Sequence, residues 1–289
     1  MPRLLAIAAI LLFVTTGCSE ELGQGTPEQT IASAKKTVMA GRADRLSQFV
    51  YAENPDMRRL LNRFGVLLGN VQGLGDAVQR RYPEEVAALT VKVEAAAKDG
   101  KATSLLSQMT RQMDRQDRRR RRADRQASEE MQAAFNDAIK RFFADPYGWL
   151  EEAEGRMTTA YLTDETVGVL WDGKPILPPL GVVMKRDVDG KWYFVLPTNL
   201  PGVSGFMPRT QNEFQVWGGL ITVFDKVVVD LTKEVEAGRI STLEGLSRRA
   251  GEMALPPAMI TIFAYAQLQE IKKKEAQAVK DAAPKPAPG

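Results

Sequence analysis

Four pairs of adjacent carboxylates come nearest to acid–base machinery in this sequence: Glu84-Glu85, Glu129-Glu130, Glu151-Glu152 and Asp164-Glu165. Acid–base catalysis by a carboxylate pair, as in glycoside hydrolysis, needs two carboxyl groups that converge across a reacting bond. Neighbouring residues point to different faces of a helix and to opposite faces of a strand, so none of these pairs converges by itself. Ser33 and Lys36 have the spacing of a lysine-activated serine, but they lie inside a helical pattern. There is no histidine at all. That excludes a Ser-His-Asp triad, a Cys-His dyad, an imidazole base and His-ligated zinc. The single cysteine, Cys18, leaves neither an intramolecular disulfide nor a thiolate cluster. No phosphate-cradling or dinucleotide glycine motif is present. The sequence therefore predicts no catalytic residue, no metal ligand set and no cofactor. A hydrolase working with Asp and Glu alone is the one catalytic alternative left open.

Residues suited to binding are easier to find. Arg118, Arg119, Arg120, Arg121 and Arg122 are consecutive, with Arg111, Arg115 and Arg125 nearby among Asp114, Asp117 and Asp124. Asp114–Arg118 and Asp117–Arg121 are favourable i,i+4 helix pairs. Five consecutive arginines encircle a helix, so local carboxylates cannot pair them all. The segment is expected to be solvated on nearly all sides, either as a charged helix with no partner or as a surface that meets an anionic component or a protein through bidentate guanidinium contacts. No aromatic residue lies between Gly100 and Ala134 to stack a base, which argues against nucleic acid. Trp171, Trp192 and Tyr193 are candidates to line a small-ligand pocket.

The elements that would carry these residues are mainly helical. Thr26-Pro27-Glu28-Gln29 has the form of a helix start, and a short helix is expected from about Ala43 to Val50. Residues 57–81 form a helical pattern with Gly65, Gly69 and Gly73 on one face, a stripe that predicts close approach of another helix. Residues 83–98 mix strand and helix signals and favour helix. Apolar residues recur at helical spacing from Thr103 to Phe143. The period then changes: Asp172-Gly173 and Asp189-Gly190 sit between β-branched and aromatic runs and predict antiparallel hairpins within 157–197. Residues 213–236 return to helical spacing. Ser241-Thr-Leu-Glu244 suggests a further capping box, and Pro256-Pro257 the restart of a buried core helix. The expected fold is α+β: a body over 26–276, helical at 26–146 and 213–276, with a small antiparallel sheet around 157–197. Residues 277–289 are expected to be a disordered tail.

Lys and Arg total 39 against 36 Asp and Glu, too near balance for a global field that gathers polyanions. The start of the chain is more distinctive. Met1-Pro-Arg3 is basic, Leu4 to Val14 is apolar, and Thr15-Thr16-Gly17-Cys18 closes the run with small residues. This is the layout of an export signal and is too short to span a bilayer. The ending resembles the lipobox of bacterial lipoproteins, with Thr15 where that family usually has Leu. The resemblance implies a signal peptide at 1–17, lipid (palmitate-type acyl chains and diacylglycerol) at Cys18, and a tether over 18–25. It also implies a membrane-anchored, extracytoplasmic place in the cell envelope. Ser19 after the cysteine resembles an outer-membrane address. Gly41 to Leu46, together with the hairpin ending Asp189-Gly-Lys-Trp-Tyr-Phe194, resembles the NTF2-like group of exported lipoproteins. That likeness implies a curved sheet around a conical pocket. Two functions follow as expectations: a non-catalytic lipoprotein acting by binding or scaffolding, or an NTF2-like pocket protein.

Overall fold

The computed structural model describes residues 22–98, 140–148, 150, 155–175, 182–196 and 207–282. The signal peptide, Cys18, Arg118–Arg122 and the last part of the expected tail lie outside the described residues. Within them the fold is predominantly helical α+β with one five-stranded antiparallel sheet, as the sequence predicts.

Helix α1, Pro27–Met39, begins where Thr26 accepts the Gln29 N–H at 3.2 Å and proline occupies the first turn. A 3₁₀ helix, Ala43–Phe49, follows. Helix α2, Pro55–Arg81, is capped by the Asn54 side chain, which accepts the Met57 N–H at 2.8 Å. The ambiguous segment is helix α3, Pro83–Lys98, with Glu84 and Glu85 in its first turn, where they suit the helix dipole. Two long helices complete the layer: α4, Gln211–Glu236, and α5, Leu243–Ala282.

The strands are β1 (Met157–Thr163), β2 (Thr166–Trp171), β3 (Lys174–Pro175), β4 (Val182–Arg186) and β5 (Trp192–Val195). Their order is β1-β2-β4-β5, with β3 also paired to β2. Asp172 and Gly173 both have positive φ, which makes the two-residue turn between β2 and β3. Pairing Val167 with Met184 and Met184 with Phe194 puts these residues on one face with Val169 and Trp192. That face is a small core, against which Ile31 of α1 packs. Elsewhere on β5, the Trp192 N–H donates to the Gln24 carbonyl (2.9 Å) and the Phe194 carbonyl accepts from the Tyr51 N–H (2.8 Å), so segments before α1 and α2 pair with it.

The main core lies between helices. Val71, Leu74, Val78, Leu231, Val235 and Leu246 pack in its centre. The glycine stripe has two different explanations. Gly65 and Gly69 face the 3₁₀ helix: a Cβ on Gly65 would come within 2.5 Å of the Ser47 hydroxyl oxygen and closer still to the Asp44 carbonyl. Gly73 faces open space, and it is Gly75 that admits Pro146 instead.

Four local expectations need correction. Helix α5 is capped by Thr242, not Ser241: the Thr242 hydroxyl accepts the Gly245 N–H at 3.0 Å. Pro256 and Pro257 do not restart a helix but lie within α5. They remove donors to the Glu252 and Met253 carbonyls, on a side of the helix where Pro256 is exposed to water. Helix α5 also continues to Ala282, through the start of the expected tail, because 276–282 is rich in helix-forming Ala, Gln and Lys. Finally, residues 253–268 are not a buried core helix; one broad face of this stretch is exposed.

Replacing Gly65 with Ala is expected to destabilise the fold by about 1–3 kcal/mol, because backbone must shift to admit the methyl group. Gly73→Ala should stabilise it by roughly 0.5–1 kcal/mol, since it restores helix propensity where nothing obstructs. Denaturant unfolding of the two variants checks the opposite signs.

Candidate functional site

Helices α2 and α4 run parallel and side by side. Met57 and Leu61 meet Phe214 at one end, Asn70 donates to Asp225 at 2.6 Å in the middle, and Arg80 lies 3.6 Å from Glu236 at the other end. Parallel packing sets the two positive helix N-termini next to each other, an arrangement that calls for negative charge. Asp56 supplies it in the first turn of α2 and Glu213 in the first turn of α4.

A cleft of about 250 Å³ opens between these two ends. Leu60 and Phe214 contribute apolar walls, with Asp56, Arg59, Arg63, Gln211, Gln215 and Gly218 around them. Arg59 pairs with Asp56. Arg63 lies over Gly218, where a Cβ would stand only 2.5 Å from its guanidinium. The cleft thus joins guanidinium and amide donors to an apolar wall, which suits a small anion with an apolar part. Its one carboxylate, Asp56, is held in an ion pair. Among the described residues no group of three or more Cys, Asp and Glu could hold a metal ion.

Beside the cleft, Glu213 is 2% exposed and has every oxygen engaged. Its Oε2 accepts the backbone N–H groups of Arg209 (2.7 Å) and Thr210 (2.8 Å). Its Oε1 accepts from Gln269 Nε2 (2.9 Å) and Lys272 Nζ (2.7 Å). Burial opposes ionisation, but the Lys272 ammonium and the two backbone donors outweigh it and bring the carboxyl down to about 2. Glu213 therefore caps α4 and also grips α5. Helix α5 runs antiparallel to α4: Arg249 makes two 3.0 Å bonds to Glu234, Tyr265 stacks edge-on against Trp217, and Lys272 reaches Glu213.

The grip leaves the middle of α5 with one side outward. Leu255 is 64% exposed, Ile260 71%, Ile262 56% and Phe263 64%. No charged residue occurs between Glu252 and Glu270.

The pocket residues expected from sequence are not brought together. Trp192 is 4% exposed in the sheet core, with its ring in edge contact with Tyr161. Tyr193, next along β5, faces the other way, and its hydroxyl donates to Asp189 Oδ2 at 2.7 Å. Burial and the Asp189 carboxylate push that phenol up to about 12. Trp171 shares the Trp192 face but sits half-buried beneath the Arg156 guanidinium, 4.8 Å from the ring centre.

Comparison with protein families, with characterised proteins and with solved structures finds no match. The chemistry of the site rests on its own residues.

Sequence reasoning missed Glu213, Gln269 and Lys272. Half the signal was present, since Thr210-Gln-Asn-Glu213 is itself a capping box before an amphipathic run. The partner fifty-nine residues later had no local mark.

Glu213 has a pH consequence. Its folded value of about 2 lies below the ordinary 4.5, so its stabilisation is present above 4.5 and lost as pH falls toward 2. Glu213→Gln should lower neutral-pH stability by on the order of 2–3 kcal/mol. It should also flatten the acid loss across that window. Denaturant unfolding as a function of pH measures both effects, and an unchanged variant contradicts the clamp.

Proposed function

We propose that this chain is a non-catalytic lipoprotein of the cell envelope that acts by binding or scaffolding. It is held at the membrane through Cys18 and faces away from the cytoplasm. The observation that carries the reading is the order of residues 1–18: a basic start, an apolar run of export-signal length, then small residues and the only cysteine. Acylation at one point with a single chain holds a protein only marginally, so the anchor needs two or more chains or a second membrane contact. Ser19 favours the outer membrane as the destination.

The helical body is the binding part. Its cleft offers arginine and glutamine donors over Leu60 and Phe214, and its one carboxylate, Asp56, is held by Arg59. Arg118–Arg122 would supply a further contact for an anionic envelope component. The pocket alternative built on Trp171, Trp192 and Tyr193 draws no support from a sheet that turns Trp192 and Tyr193 to opposite faces.

Intact mass and membrane fractionation test the anchor. The wild-type chain should be cut before Cys18, carry the added mass of diacylglycerol and acyl chains, and sediment with membranes. Cys18→Ser should lose that added mass and enrich in the soluble fraction. Equal soluble release of both forms would refute lipidation.

A further inference from the structure

We infer that the exposed face of α5 is a membrane-contact surface that lies in the headgroup region of an anionic bilayer. The proposal takes from the envelope reading only that a membrane is at hand.

Leu255, Met259, Ile262 and Ala266 follow one another at helical spacing and form a line along α5, with Ile260 and Phe263 beside it. Five of these are large hydrophobics, each between 48% and 71% exposed. Together they uncover on the order of several hundred Å², as much as the largest apolar patch that a monomer ordinarily carries. No helix of the described residues is long and apolar enough to cross a membrane. A one-sided apolar helix of this kind instead lies flat in the interface, with its apolar side about 5–10 Å deep.

The charges at the two ends of the line identify the occupant. Arg248 stands seven residues before Leu255, and Lys273 stands eleven after Ile262, so both continue the same line. Lys274 continues the line of Phe263. All three are exposed. Arg248 is only 4.0 Å from Glu252, a loose pair. Cations that bracket an apolar strip can bury their stems and raise their heads to lipid phosphates. Glu252 and Glu270 bound the strip on the inside, next to these cations, and the exposed Glu275 follows Lys274.

The same pattern disfavours a second copy of the chain. An antiparallel pair of α5 helices centred near residue 261 would set Arg248 of one copy against Lys273 of the other, and Glu252 against Glu270. A parallel pair would set each charge against itself. Like charges would meet in both cases, whereas a lipid headgroup layer gives Arg248, Lys273 and Lys274 phosphates to reach while Glu252, Glu270 and Glu275 stay in water.

The test uses the chain from Cys18 onward, produced without lipid so that binding does not depend on acylation. It is floated with vesicles of phosphatidylglycerol and phosphatidylethanolamine, and with phosphatidylcholine vesicles for comparison. The wild type should bind the anionic vesicles more tightly. Ile260→Glu with Phe263→Glu should weaken that binding at least tenfold, with little change in melting temperature. Lys273→Gln with Lys274→Gln, which touches no packed residue, should weaken it several-fold and reduce its salt dependence.

Four results would overturn the proposal. The first is no vesicle binding by the wild type. The second is binding that survives the double glutamate change, which would assign it elsewhere, for example to Arg118–Arg122. The third is a large fall in melting temperature of the glutamate variant, which would mean that the chain itself covers the face. The fourth is self-association abolished by the same variant without lipid binding, which would make the face a dimer contact. None of these results bears on whether Cys18 is acylated, which the mass measurement decides.

Discussion

A buried carboxylate organises the helical layer. Glu213 accepts the backbone N–H groups of Arg209 and Thr210 just before α4, and the side-chain donors of Gln269 and Lys272 on α5. An ionised group 2% exposed is costly unless all of its lone pairs are used. Here they are, and the carboxyl stays charged. The consequence is positional. Helix α5, forty residues long, is fixed at its start by Thr242, Glu85 and Glu234 and near residue 272 by Glu213. Between these points its rotation about its own axis is set, and so is the side that faces outward.

Close backbone approach does similar work on the opposite side of α2. Gly65 and Gly69 let the 3₁₀ helix lie directly on α2, and Gln72 ties the two together by accepting the Ala43 N–H at 2.9 Å and donating to the Val38 carbonyl. Tyr147 donates to the Leu68 carbonyl at 2.7 Å, which docks the Pro146 turn against Gly75. Burial pushes the Tyr147 phenol well above its usual range, as expected for a neutral hydroxyl used as a structural donor. The sheet joins this assembly through α1 and the end of β5, where Leu196 packs near Met57, Leu61 and Phe214. Its face is filled with side chains such as Val167, Val169, Met184 and Trp192.

Much of the fold was legible because it follows from local chemistry. Thr26-Pro27 marks a helix start, Asp172-Gly173 marks a turn that only positive φ can make, and period changes separate helices from strands. What was not legible depends on distance in sequence. The Glu213–Lys272 pair spans fifty-nine residues, and the choice of Gly75 rather than Gly73 for close contact depends on where Pro146 lands. The apolar composition of 253–268 does not itself say which surface covers it; burial was the natural inference, and exposure appears only once α4 is seen to occupy the other side. Trp171, Trp192 and Tyr193 illustrate the same point. Their types suited a pocket, but strand alternation sends Trp192 and Tyr193 to opposite faces.

The central claim is that Glu213 and its neighbours hold α5 so that one apolar face meets a lipid surface. Single spin labels placed from Glu252 to Glu270, in a chain whose only native cysteine is replaced by Cys18→Ser, measure it most directly. With anionic vesicles present, the account predicts that accessibility to a lipid-soluble relaxant repeats about every 3.6 residues. Maxima are expected at Met259, Ile262, Phe263 and Ala266, with minima at Thr261 and Tyr265. Accessibility to a water-soluble relaxant at every one of these positions, unchanged when vesicles are added, would contradict it.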